Sequence, residues 1–196
     1  MAKCMSARRV LEVGAGAGLA AKIFVQSLMA PGSQYFITDI AEGMISETEK
    51  AINESGWLDQ AGHKMQRLRE DMRVDLATLE PEVKDKSVFP LVADAMSLPF
   101  PDETFDSYTS QLTIPVVPEP KKMVSEAYRV LKKGGITAIS AVGRENHTEF
   151  IGLYQDVVKA TFPDLAVKCT QETDYQEMKE MFVDAGFSSV KLFYNE

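Results

Sequence analysis

Four residues near the start of the chain have the types and spacing of a small-molecule binding turn: Glu12, Gly14, Gly16 and Gly18. They follow a short aliphatic run and precede a helical pattern, which predicts a strand, a tight turn and a helix N-terminus. Glycine is needed where a chain turns with positive φ or where a ligand touches the backbone. A carboxylate at the strand end repels a diphosphate and attracts an ammonium group. The stretch therefore predicts a site for a ligand with a cationic amino-acid part.

The spacing separates two kinds of glycine-rich turn. A dinucleotide fingerprint reads G-x-G-x-x-G, whereas here the third glycine comes one position early and Leu19 stands where that pattern requires glycine. Residues 12–18, which read EVGAGAG, resemble motif I of the class I S-adenosylmethionine-dependent methyltransferases. The resemblance implies that this turn binds S-adenosyl-L-methionine through Glu12, Gly14, Ala15, Gly16 and Gly18.

A second acid, Asp39, closes the next predicted strand, residues 34–40. A right-handed β-α-β crossover returns the chain beside the first strand at this point, and a carboxylate here can accept hydrogen bonds from both ribose hydroxyls. The alternative is a helix N-cap or a solvated acid at the strand end. Ile40 would offer an apolar face to the adenine, and Met44 is predicted to contact the cofactor as well.

Two later segments carry the same resemblance. Residues 92–106 (VADAMSLPFPDETFD) are similar to the methyltransferase segment in which an acid after the third strand accepts from the adenine amino group. This implies adenine contacts from Asp94, the Ala95 amide and Met96, with a turn-forming Asp as the alternative. Residues 128–135 (YRVLKKGG) resemble the RVLKPGG segment of small-molecule, type 11 methyltransferases, with Lys133 where the family often has Pro.

Candidates for the acceptor side follow the predicted central strand, residues 105–110. Ser110, Gln111 and Leu112 precede a proline-rich, stiff loop at the edge where ligands of open α/β sheets bind; Ser110 and Gln111 are assigned to the cofactor and Leu112 to the acceptor. His147 is the candidate base, with a bystander as the alternative, and Tyr154 is a second candidate for acceptor contact. No His/Cys pair has ligand spacing, so no metal site is expected.

The elements that must position these residues alternate strand and helix, which predicts a doubly wound, mostly parallel α/β sheet flanked by helices. We expect one domain over 1–196, with an extra amphipathic helical segment at about 56–80 whose exposed side is basic. A last strand is predicted at 190–194. The N-terminal helix and the seventh, antiparallel strand that this Rossmann-like methyltransferase fold normally has are not found in the sequence.

The composition restricts the partners. The net charge of −8 argues against nucleic acid as substrate, and no apolar run approaches a membrane span. No signal peptide is visible, and Cys4 and Cys169 are read as free thiols, so a cytoplasmic location is expected. The exposed sheet edge could pair with a protein partner or a second copy.

The resemblance implies methyl transfer to a small-molecule acceptor by in-line attack on the cofactor's sulfonium methyl. Two other classes stay open at this point. One is a non-catalytic methyltransferase-like binding or scaffold subunit, favoured by the two missing elements. The other is a nucleotide-dependent oxidoreductase, which Leu19 and Glu12 disfavour.

Overall fold

The computed structural model describes residues 7–69, 76–79, 85–141 and 174–193. Within these ranges the strands are β1 (Arg9–Val13), β2 (Gln34–Asp39), β3 (His63–Met65), β4 (Lys86–Val92), β5 (Phe105–Gln111) and β6 (Leu131–Ser140). The α-helices are α1 (Leu19–Ser27), α2 (Glu42–Glu54), α3 (Pro120–Val130) and α4 (Tyr175–Asp184). Short 3₁₀ turns span Trp57–Asp59, Leu76–Leu79 and Ile114–Val116.

The strands form one parallel sheet in the order β3-β4-β2-β1-β5-β6. The chain starts in the middle at β1, builds outward through β2, and then crosses to the other side at β5. The point where the strand order reverses lies between β1 and β5, and ligands of open α/β sheets bind at its carboxyl edge. The predicted fold class is therefore confirmed, and the glycine turn follows the strand at the centre of this edge.

Alternation along the strands divides the core into two layers. Leu11 and Val13 face a cluster that includes the buried sides of α3 and α4. Val10 faces the opposite cluster, with Tyr35 and the buried residues of α1 and α2. Because both faces of the central strands are covered, β2 and β4 each contain an uninterrupted apolar run, Tyr35–Ile37 and Val88–Val92. None of the helices in the described ranges has the length and apolar character needed to cross a bilayer.

The predicted helical segment at about 56–80 is wrong for the part of it that the structure describes. Gly56 (φ 69°) and Gly62 (φ 78°) both adopt the left-handed conformation, which a continuing helix does not allow. Between them Trp57 is buried, and His63–Met65 then pairs with β4 as an edge strand. The described apolar residues of this segment therefore lie in turns, in an edge strand and in the irregular chain around them.

Two basic side chains in the described part of that segment form ion pairs within the chain. Lys64 forms an ion pair with Asp85, and Arg67 bonds to Glu42 and, at 3.0 Å, to Glu49 of α2. These contacts fasten the segment to α2 and to the start of β4.

The end of the chain also differs from expectation. Val190–Phe193 form no strand, and Val190 instead packs against the core under α3 and α4. An alternating pattern forms a strand only where a neighbouring strand pairs with it, which explains the error. At the end of α3, Gly134 has a positive φ of 77° and lies inside β6, which begins directly after the helix.

Candidate functional site

The glycine turn joins β1 to α1 and uses most of its own backbone donors. Gly14, Gly16 and Gly18 all have positive φ, between 56° and 78°. The amides of Gly14 and Ala15 both donate to the Thr38 carbonyl, at 2.8 and 3.1 Å, and the Gly18 amide donates to the Ala15 carbonyl. The Gly16 amide donates to the Asp39 carboxylate at 2.9 Å. The turn is thus tied to the end of β2.

Two threonines from distant parts of the chain fix the turn from outside. Thr48 of α2 donates to the Gly16 carbonyl at 3.0 Å, and its Cα lies 2.7 Å from where a Cβ on Gly18 would stand. A Cβ on Gly14 would meet Thr113 Oγ1 at 2.1 Å. Gly14 and Gly18 are therefore required by close packing as well as by their conformation. No local pattern in the sequence points to either threonine.

Glu12 lies beneath the turn as a buried carboxyl. It is 2% exposed and accepts a hydrogen bond from the Tyr35 hydroxyl. Burial raises the pKa of Glu12 from 4.5 to about 7, with the Tyr35 hydrogen bond opposing that shift. Burial, together with the nearby Glu12 charge, raises the pKa of Tyr35 well above its ordinary value. A positively charged ligand group at Glu12 would favour the ionised carboxylate.

Glu12 and the turn line a cavity of about 500 Å³. The remaining walls are the outer side chains of α1 and one face of β5 and β6; they include Leu19, Ile23, Thr109, Gln111 and Ala138. Leu19 and Ile23 are exposed here. The described lining of the cavity is thus mainly apolar, and the Glu12 carboxyl lies in its wall.

Asp39 closes β2 and accepts two backbone hydrogen bonds. Its Oδ2 accepts from the Gly16 amide and its Oδ1 from the Ala41 amide, each at 2.9 Å. A carboxylate offers about four acceptor positions, so both oxygens can still accept from a ligand. The following Ile40 is 69% exposed, and Met44 is also exposed at the start of α2.

Asp94 lies beside Asp39, after the neighbouring strand. Val92 is the register partner of Asp39, and the Ala93 amide donates to the Asp39 carbonyl at 2.9 Å. Asp94 Oδ1 accepts from the Met96 amide at 2.8 Å, which is the turn-forming role foreseen as the alternative. Ala95 is buried and Met96 half-buried. Glu12, Asp39 and Asp94 thus lie on or directly after three adjacent strands, β1, β2 and β4.

The candidates after β5 separate into different environments. Ser110 is fully buried and donates to the Val13 carbonyl at 2.7 Å, so its hydroxyl holds β5 to β1. Gln111 is exposed and lines the cavity. Leu112 is 56% exposed and has a φ of 56°, an uncommon conformation for a residue other than glycine. His147 and Tyr154 lie outside the described residues.

Sequence reasoning missed Tyr35, Thr48 and Thr113. Tyr35 stands next to Phe36 and Ile37 and reads as an ordinary core residue of β2. Its bond to Glu12 depends on the pairing of β1 with β2, which no local pattern specifies. The two threonines reach the turn only through the packing of α2 and of the segment after β5.

Comparison with known proteins identifies the family. A family model described as a methyltransferase domain matches residues 11–139. The chain belongs to the S-adenosylmethionine-dependent methyltransferases. The match covers the glycine turn, both strand-end aspartates and the segment leading into β6, so the resemblance drawn from those motifs is confirmed, and with it the cofactor.

Individual proteins similar to this chain are named as methyltransferases. The chain is 33% identical over 135 residues to 2-methyl-6-phytyl-1,4-hydroquinone methyltransferase 2 of Oryza sativa, covering 69% of this chain and 32% of that protein. It is 31% identical over 131 residues to phosphatidylethanolamine N-methyltransferase of Cereibacter sphaeroides, covering 67% of this chain and 49% of that protein. The chain thus spans between a third and a half of these two relatives.

A solved structure shares the fold. Phosphoethanolamine N-methyltransferase 2 of Haemonchus contortus, in complex with phosphomonomethylethanolamine and S-adenosylhomocysteine, superimposes with a TM-score of 0.60 and 20% identity. The alignment covers 92% of this chain and 33% of that one. At this identity the likeness is evidence for the fold alone.

Proposed function

We propose that this methyltransferase domain transfers the methyl group of S-adenosylmethionine to a small-molecule acceptor, with the cofactor held along the carboxyl edge of β1, β2 and β4. The observation that carries the proposal is the row formed by Glu12, Asp39 and Asp94 beside a glycine turn of fixed shape. Three carboxylates in a row suit a ligand that presents an ammonium, two hydroxyls and an amino group. These three hydrogen-bond acceptors therefore fit the cofactor.

Each acid has a separate task in this proposal. Glu12 ionises and pairs with the ammonium of the methionine part, which offsets the cost of its burial. Asp39 accepts from the ribose hydroxyls while it keeps the turn in place through the Gly16 amide. Asp94 accepts from the adenine amino group, and the Ala95 amide donates to the ring. Ile40, Met44 and Met96 supply apolar contacts to the adenine, and Gln111 closes the site from β5.

The bound cofactor supplies an electrophilic methyl group on a sulfonium sulfur. The chain's contribution to the rate is then mainly alignment of the acceptor, which can be worth about 7–11 kcal/mol. One general base contributes roughly 10²–10⁴-fold. We assign that role to His147, and acceptor contacts to Leu112 and Tyr154. Activity is expected to depend more on alignment than on His147.

The acceptor in this proposal has an apolar part. Leu112 and Val116, which follow β5, are both more than half exposed. Apolar side chains at the mouth of a site favour an acceptor that covers them on binding. The Oryza relative is named for a phytyl hydroquinone and the Cereibacter relative for phosphatidylethanolamine, and both of these molecules carry long hydrocarbon chains.

Calorimetry with S-adenosylhomocysteine tests the cofactor site. Asp39→Ala and Asp94→Ala should each weaken binding about tenfold or more, because a hydrogen bond to a charged group is worth roughly 1.5–3 kcal/mol. Glu47→Ala, an exposed acid of α2 outside the site, is the matched control and should bind as the wild type does. Wild-type affinity in both aspartate variants would refute the assignment.

Turnover distinguishes an enzyme from a binding subunit. The chain is incubated with S-adenosylmethionine and hydroquinone or ethanolamine compounds with and without hydrocarbon chains, and S-adenosylhomocysteine is measured. Product formation only with the acceptors that carry chains supports the proposal. Tight cofactor binding without any product would indicate a scaffold role instead.

A further inference from the structure

Arg129 and Glu126 of α3 together grip the loop that follows Asp94, and we call this pair the α3 clamp. Arg129 donates to the carbonyls of Leu98 and Phe100 at 3.0 and 2.7 Å, and to the Asp102 carboxylate at 2.8 Å. Glu126 accepts from the Leu98 amide at 2.7 Å. The loop is therefore held by four hydrogen bonds from one face of a helix.

The guanidinium is used to its full capacity. Its remaining contacts are two bonds of 2.7 Å to the Glu126 carboxylate, one from Nε and one from a terminal nitrogen. An arginine has five N–H donors in a planar fork, and all five have an acceptor here. The hydrogen bond to Glu126 leads the interactions that raise the pKa of Arg129, so the clamp stays charged. A lysine cannot reproduce this geometry because its three donors diverge from one nitrogen.

The clamped loop is continuous with the adenine acid. Only three residues separate Asp94 from Leu98, and they form a turn in which the Ser97 amide donates to the Asp94 carbonyl at 3.0 Å. The side chains of Leu98 and Phe100 are buried in the core. With the loop fixed at Leu98 and β4 fixed in the sheet, both ends of the turn that presents Asp94 are held.

We infer that Arg129 is a positioning residue for cofactor recognition: through the Leu98–Asp102 loop it sets the place of Asp94, and so the selectivity of the site for the adenine amino group. The inference rests on the proposed function, because it takes Asp94 as the group that meets the adenine. Arg129 itself touches the loop and Glu126, so its effect on the ligand passes through the loop.

The test compares two ligands that differ by one amino group. Calorimetry gives the dissociation constants of S-adenosylhomocysteine and of its analogue with unsubstituted purine in place of adenine. In Arg129→Met the preference for the adenine ligand should fall about tenfold, the scale of one hydrogen bond to a charged group. Arg129→Lys should recover part of the preference. The ratio of the two constants does not depend on the fraction of folded protein, so a loss of stability alone leaves it unchanged.

Two further variants serve as the positive and the negative control for Arg129→Met. Asp94→Asn should lower the preference at least as much as Arg129→Met does, and in the double variant the two effects should not add. Lys132→Met removes a cation of β6 that pairs at 2.8 Å with Asp106, a residue outside the Leu98–Asp102 loop, and should keep the wild-type preference.

The outcomes distinguish this inference from the proposed function. An unchanged preference in Arg129→Met, with a lowered one in Asp94→Asn, overturns the role of Arg129 and leaves the proposed function in place. Binding without any adenine preference in the wild type overturns the assignment of Asp94 and this inference. A wild-type chain that binds neither ligand overturns the proposed function and the inference with it.

Discussion

Glu12→Gln replaces a buried carboxyl by a neutral amide of nearly the same shape. In the folded protein Glu12 keeps its proton up to about pH 7, whereas in the unfolded chain it loses the proton near 4.5. The difference corresponds to about 3 kcal/mol. Because the folded-state pKa is the higher one, the wild-type free energy of unfolding falls as the pH rises from about 4.5 to about 7.

Urea denaturation between pH 4.5 and 7.5 measures this effect. Glu12→Gln should be close to the wild type in stability at the acid end and more stable by up to about 3 kcal/mol at the neutral end. Glu47→Gln, at an exposed acid of α2, should run parallel to the wild type. A constant difference between Glu12→Gln and the wild type across this range would refute the raised pKa.

The same substitution should weaken ligand binding, although it stabilises the fold. If only the ionised Glu12 pairs with the ligand's ammonium, a pKa of about 7 predicts a roughly 25-fold gain in wild-type affinity for S-adenosylhomocysteine between pH 5.5 and 7.5. Glu12→Gln should bind weakly at both values. A variant that is more stable yet binds less well is the expected sign of a functional buried charge. Equal affinity in the two proteins would show that Glu12 meets no ammonium.

Two further predictions concern the turn and the sheet. Gly14→Ala should lose about 2–5 kcal/mol in denaturation, because a Cβ meets Thr113 in a left-handed backbone, whereas Gly16→Ala, with nothing within 4 Å, should lose about 1–2 kcal/mol; equal losses would contradict the packing argument. Burial opposes ionisation of Asp106, but hydrogen bonds from Lys132 and from the Arg9 and Arg8 amides lower its pKa below 3.8. Asp106→Asn should therefore lower the thermal midpoint at pH 7 and approach the wild type as the pH falls below about 4; a difference that grows with acid would contradict this.

Local patterns predicted the centre of the fold well. β2 and β5 start at the predicted residues, because each contains apolar residues and is followed by a turn signal. The edges of the sheet were predicted wrongly. β3 has only three residues and depends on pairing with β4, and the segment at 190–193 lacks such a partner, so the patterns there carried little information.

The candidate site likewise combines residues that local patterns indicate with contacts that they do not. Glu12, Asp39 and Asp94 were predicted because strand-end acids and glycine spacing are local features. The contacts that shape them come from far along the chain: Tyr35 reaches Glu12 across β1 and β2, and Thr113 lies 99 positions after Gly14. The α3 clamp was hidden because Arg129 was read only as part of a family motif. Its five acceptors come from two stretches of chain, the Leu98–Asp102 loop and α3 itself, and packing brings the two together.

The hydrogen bonds of the glycine turn also explain which ligand it suits. A diphosphate needs backbone N–H groups that point outward at a helix N-terminus. Here the amides of Gly14, Ala15, Gly16 and Gly18 donate within the protein, and the carboxyl of Glu12 lines the same cavity. A diphosphate would therefore meet few donors and a group that becomes negative above about pH 7. An ammonium meets an acceptor whose ionisation it favours, while the pre-bonded turn loses little freedom when the ligand binds. The turn's internal bonding, together with the position of Gly18, thus directs this site away from dinucleotides and towards a cationic amino acid.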